Sequence, residues 1–175
     1  MLSFLNTGWT YVRFICYNGY VDREIVMAKN RGKDKGRFMK IIVCVDDAYG
    51  MMFNRRRQSQ DAALRERILQ SLNNAKLWMN AYSAKQFADN GADKIYVDED
   101  FLNKASEEDY CFVENVDVST FQEQIKEITL YKWNRRYPSD FKFQISLTED
   151  YWRLISSDEF EGSSHEKITK EVYRR

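Results

Sequence analysis

The 175-residue sequence holds one histidine, His165, one proline, Pro138, and three cysteines, Cys16, Cys44 and Cys111. A single imidazole sets aside His-rich metal centres and zinc hydrolase sites, and on the same count we set aside catalytic triads. The His-x-His-x-Asp-His cluster of a zinc-dependent ribonuclease cannot be assembled from one histidine. The cysteines are odd in number, scattered and free of any Cys-x-x-Cys pair, which excludes a disulfide framework and a structural zinc site and leaves them as reduced core residues. No apolar run nears eighteen residues, and no basic segment precedes a short apolar stretch with a small-residue cleavage site. Neither a membrane span nor a signal peptide is therefore expected, and the expected location is the cytoplasm. The seven glycines include no adjacent pair. Net charge is also missing, with 27 Lys and Arg against 27 Asp and Glu. What remains, 43% apolar and 15% aromatic residues, is enough for one compact core.

Charge is unevenly placed. Residues 1–38 carry seven basic against three acidic residues and seven aromatics, so the other 137 residues have a net charge of −4. This basic, aromatic-rich extension shows no clear period and ends in a Gly-punctuated stretch, Lys29 to Arg37, of linker character. Two readings stay open: a nucleic-acid-binding arm, since cations and rings suit phosphates and bases, or an upstream mis-called start, with translation beginning at Met39. We prefer the second.

From Met39 onward the pattern is regular. Ile41 to Val45 is a continuous β-branched run that predicts a strand buried on both faces. Ser59 is expected to cap a helix running to about Asn73, with Leu64, Ile68 and Leu72 on its apolar face. Further strands are expected at 76–79, 94–97, 110–113, 128–133, 151–156 and 167–173, with short helices at 82–89 and 119–127. The polar run Asp158 to His165 predicts a hairpin-type connection. The class is α/β: a mixed, mostly parallel central sheet with flanking helices and a C-terminal antiparallel hairpin, over residues 39–175.

Met39 to Asp46 followed by Gly50 and Asn54, the helix beginning near Asp61, Leu77 to Ser83, and the closing segment Ile128 to Tyr131, Asp140-Phe141, Trp152 and Glu171 to Arg175 together resemble dihydrofolate reductase. The resemblance implies a first strand and loop at Gly50 and Asn54, a substrate-binding carboxylate at Asp61, and a phosphate-facing turn at Asn80 and Ser83. It also implies NADPH as the cofactor, a small heterocycle such as a pterin as the ligand, and no metal. The departures are equally specific. The family's Leu-Pro-Trp element is replaced by Arg55-Arg56-Arg57-Gln58-Ser59-Gln60, its Gly-Gly turn has no counterpart near Val113 to Asp117, and Asn80-Ala81 stands where Gly-Arg is usual. Glycine at such a turn lets backbone approach a phosphate or ring, and arginine supplies the phosphate's counter-charge.

Asp61 is the catalytic candidate: desolvated on an apolar stripe, its pKa would rise and it could donate to a pterin-like ring. The alternative is that it serves the helix N-terminus electrostatically. The arginine triplet and Arg135-Arg136 fit solvated loops better than nucleic acid in a domain of net −4. Trp78, Trp133 and Trp152 are expected to pack, and His165 to be exposed. Three functions follow: a divergent reductase-like protein with a degraded cofactor site acting as a ligand-binding or interaction module, an active NADPH-dependent reductase, or an RNA-binding or ribonuclease-related protein. The first is the expectation. Neither nucleic acid nor a membrane is an expected partner, and the sequence names no protein partner.

Overall fold

A computed structural model of the chain describes the backbone of residues 12–17 and 20–25, and residues 38–88 and 93–175 with their side chains. The chain separates into two compact units, Met1–Gly36 and Arg37–Arg175. In the first, β1 (Val12–Tyr17) and β2 (Tyr20–Ile25) pair antiparallel, from Val12 opposite Ile25 to Tyr17 opposite Tyr20. The intervening dipeptide in the sequence is Asn18-Gly19, a two-residue hairpin signal. The expected linker at 29–37 lies outside the described residues.

The second unit is built on seven strands in the order β11-β12-β9-β3-β8-β6-β7. They are β3 (Met39–Val45), β6 (Leu77–Met79), β7 (Ile95–Val97), β8 (Tyr110–Val113), β9 (Ile125–Lys132), β11 (Arg153–Phe160) and β12 (Ile168–Arg174). Strands β3, β6, β7, β8 and β9 are mutually parallel, while β12 runs antiparallel to β9 and β11 antiparallel to β12. This is the expected mixed, mostly parallel α/β sheet with a C-terminal hairpin.

The apolar run of β3 is central because both of its faces are covered. Met39, Ile41, Val43 and Val45 pack with Phe101, Cys111, Val113, Ile128, Leu130 and Trp152, whereas Ile42 packs with Leu64, Ile68, Leu72, Phe112 and Tyr131. The second layer is helix α1 (Ala62–Ser71), whose buried stripe is set by the i, i+4, i+8 spacing. The helix stops where Asn73 takes a left-handed φ of 51°, which asparagine tolerates. Its N-cap is Asp61 rather than Ser59: Asp61 has extended φ and ψ and accepts from the Leu64 N–H at 3.1 Å. Two other helix expectations shrink. Residues 81–87 form one turn, α2 (Ala81–Ala84), followed by a 3-10 turn at Lys85–Phe87, and the expected helix at 119–127 is a 3-10 segment, Ser119–Gln124, ahead of β9. A short α3 (Phe101–Lys104) precedes β8.

A small second sheet, order β10-β4-β5, was not anticipated. Here β4 (Gly50–Phe53) and β5 (Arg56–Arg57) form a hairpin joined by Asn54 and Arg55, and β10 (Phe141–Lys142) pairs on the other side of β4. Both turn residues have positive φ, 49° and 61°, the backbone of a type I′ turn. No helix among the described residues is long and apolar enough to cross a membrane.

Candidate functional site

Ligand sites in open α/β sheets form beyond the carboxyl ends of the parallel strands. The carboxyl end of β3 delivers Asp46, 1% exposed, whose carboxylate organises the loops there. It accepts from the N–H groups of Ala48 (2.8 Å), Gly50 (2.7 Å) and Tyr137 (2.9 Å) and from the Gln58 amide (3.3 Å). Burial raises its pKa, but these four donors outweigh burial and hold it below the ordinary carboxylate range. Asp46 thereby fixes Gln58 and Tyr137 in the wall of a cleft of about 460 Å³, also lined by Asn54, Arg56, Arg57 and Pro138.

Beside the cleft lies a polar cluster around His165. Its side chain is 3% exposed, so the expectation of an exposed histidine is overturned. The loop between β11 and β12 folds back onto the start of α1, and the His165 ring stacks on Trp133 at 4.7 Å between centroids and 22° between planes. Ser59 Oγ and Tyr137 Oη each lie 3.2 Å from Nε2, while Nδ1 faces Ser164 Oγ at 3.0 Å and Asp61 Oδ2 at 3.4 Å. The same loop donates the Ser163 N–H (3.0 Å), the Ser164 N–H (2.7 Å) and the Ser164 hydroxyl (2.9 Å) to Asp61. Gly162 makes this approach possible, because a Cβ there would stand 2.6 Å from Asp61 Oδ2.

Asp61 is 2% exposed, and the direction of its pKa shift reverses the expectation. Burial raises it, but the N–H groups of Ser163, Ser164 and Leu64 and the Ser164 hydroxyl together hold the carboxyl far below the usual range. These donors anchor the carboxylate in place. A triad uses one imidazole, and His165 meets both a serine and a carboxylate.

A second polar cluster lies at the carboxyl end of β8. Arg57 Nε is 3.2 Å from Glu114 Oε1, with both side chains largely buried. The guanidinium also donates to the Tyr82 carbonyl at 3.1 Å and sits 4.8 Å from the Tyr82 ring centroid. Burial pushes the Glu114 carboxyl up, tempered by Arg57, Ser83 and Gln86. Arg57, Ser83, Gln86 and Glu114 thus face one another, and Gln58 Oε1 is buried without a hydrogen-bond partner among the described residues.

The sequence-derived candidates thus fall in different places. Asn54 lies at the hairpin tip on the cleft rim. Gly50 is packed beneath it, where a Cβ would meet the Gln58 amide at 2.5 Å and Ser139 Cβ at 2.7 Å. Asn80 caps α2 by accepting from the Ser83 N–H (3.0 Å) and donates to Asn115 (2.8 Å), while Ser83 is buried toward Glu114. Asp61 belongs to the His165 cluster. Sequence reasoning missed His165, Tyr137, Glu114 and Asp46. The run Gly162-Ser163-Ser164-His165, small donors around the only imidazole, was the available signal. No group of three or more His, Cys, Asp or Glu suited to a metal ion occurs among the described residues.

No family model and no curated protein matches the sequence. Among solved structures the chain is similar to a dihydrofolate reductase from Enterococcus faecalis, complexed with NADP(H) and RAB-propyl. The TM-score is 0.58 at 7% sequence identity, over 79% of this chain and 96% of that one.

Proposed function

From a chain with the dihydrofolate reductase fold we propose a ligand-binding protein that has given up the dinucleotide and takes a small polar, anionic ligand in the cleft between the β4–β5 hairpin and Tyr137. The observation that carries this reading is the polar lining of that cleft, Asn54, Arg56, Arg57, Gln58 and Tyr137, where Gln58 Oε1 is buried without a hydrogen-bond partner among the described residues. A cleft that gathers several polar side chains is suited to a molecule supplying both donors and acceptors. Arg56 and Arg57 favour an anion, with Asn54, Gln58 and Tyr137 adding hydrogen bonds.

The residues do not fit the nicotinamide cofactor that the fold implies. The backbone after β8 carries Glu114 and Asn115 where a close approach to the ring calls for glycine, and Glu114 turns a buried carboxyl to Arg57. At the turn before α2 the Ala81 N–H already donates to the Glu99 carboxylate at 3.0 Å, so a phosphate arriving there would meet a negative charge.

Thermal-shift titration of the full chain tests the reading. Inorganic phosphate at constant ionic strength is expected to raise Tm, Arg56→Ala to diminish that rise, and neither NADPH nor methotrexate to raise it. Stabilisation by NADPH with none by phosphate would overturn the proposal in favour of the active reductase.

A further inference from the structure

We propose that Ser59, His165 and Asp61 form a nucleophilic triad at the cleft and that this protein hydrolyses an ester bearing an anionic group. The anionic substrate class rests on the reading of the cleft given above; the triad rests on its own geometry.

The tautomer follows from the neighbours of His165. Ser164 Oγ has acceptors for its one proton in Asp61 Oδ2 at 2.9 Å and the Gln60 carbonyl at 3.0 Å, which leaves a lone pair for Nδ1, while the carboxylate can only accept. Both partners of Nδ1 are acceptors, so that nitrogen carries the proton and Nε2 is left with its lone pair facing Ser59 Oγ at 3.2 Å. This is the arrangement a general base needs: a hydroxyl on one nitrogen and an orienting anion behind the other. The ring cannot turn away, being stacked on Trp133, a buried residue that closes the sheet end of β9. Asp61 is itself held by backbone donors from two segments, Leu64 and the 163–164 pair, so the orienting anion is fixed before any substrate arrives.

Two hydroxyls converge on Nε2, and their settings divide the roles. Ser59 is half-buried and directly follows Gln58, which lines the cleft; its alkoxide is the stronger nucleophile once the proton leaves. Tyr137 lines the cleft itself, and its phenol is placed to donate to the oxyanion that forms there. Ser59 Oγ attacks the carbonyl carbon and its proton passes to Nε2. The tetrahedral oxyanion then collapses, the bond from carbon to the leaving oxygen breaks, and that oxygen takes the proton from Nε2. Water repeats the sequence on the acyl-Ser59, with Nε2 accepting its proton and returning it to Oγ, so that an acid and an alcohol are released.

The test is covalent capture of the full chain with an alkyl fluorophosphonate. Ser59 Oγ displaces fluoride at phosphorus, a reaction that needs no knowledge of the substrate. Intact-mass and peptide mapping are expected to place one adduct on Ser59, absent from Ser59→Ala. In His165→Gln, shown to be folded by circular dichroism, the labelling rate is expected to fall by about 100-fold or more. No adduct on the folded wild-type chain, an adduct on Tyr137 instead, or an unchanged rate in folded His165→Gln would overturn the triad. If Ser59 labels while phosphate fails to raise Tm, the anionic-ligand reading falls and the triad stands; phosphate binding without labelling gives the reverse.

Discussion

Asp61 shows how a side chain's charge state can be set by residues far away in the sequence. Its place before an apolar stripe was legible, and that stripe was read as a desolvating environment. The donors that decide its charge come from residues 163 and 164, about a hundred positions away, and no local pattern announces them. Asp61→Ala is expected to leave the N–H groups of Leu64, Ser163 and Ser164 unpaired and to cost about 3 kcal/mol, read as a lower urea midpoint at unchanged m-value. The sign of the pH dependence follows from the depressed pKa of Asp61 and Asp46. The folded state binds fewer protons than the unfolded one, so the stability these carboxylates contribute is complete above the unfolded value, near pH 4, and is lost as pH falls below it. Urea midpoints measured from pH 7 to pH 3 are expected to drop steeply at the acid end in the wild type and less steeply in Asp61→Ala. Equal slopes would remove Asp61 from the acid transition.

At the scale of elements, the β4–β5 hairpin carries a local conflict. Arg55 holds φ at 61° in the second position of a type I′ turn, where glycine is preferred. Arg55→Gly is expected to stabilise the fold by about 0.5–1 kcal/mol, measured as a rise in urea midpoint. The hairpin was hidden in the sequence for that reason: Asn54 is followed by arginines instead of glycine, and the triplet resembled a solvated loop. The pair that ties β5 to β8 gives a second test. Glu114→Leu leaves the Arg57 guanidinium buried without its anion and is expected to cost about 3–5 kcal/mol, whereas Arg57→Leu with Glu114→Leu should cost much less than the sum of the single changes. Additive costs in the double-mutant cycle would show the two groups to be uncoupled. The long strands were legible because periodicity marks them. The helix expected at 119–127 was not delivered, since its last residues belong to the buried face of β9, where Ile125 and Ile128 fill the core.

For the molecule as a whole, the class and the mixed sheet could be read from alternating elements, and the resemblance at both ends of the 39–175 segment carried the fold. The strand order could not, because it depends on which distant partners each strand meets. That order also governs how the chain is made. The β1–β2 hairpin pairs neighbours in sequence and can close as soon as it emerges. By contrast β3, the most apolar segment and the centre of the sheet, bonds only to β8 and β9, which begin at Tyr110 and Ile125. At about 5–20 residues per second of synthesis, β3 waits several seconds at the ribosome with its partners still untranslated. During that interval Ile41 to Val45 is a bare, β-branched, uncharged strand, the kind of segment a holdase chaperone retains and a neighbouring nascent chain captures.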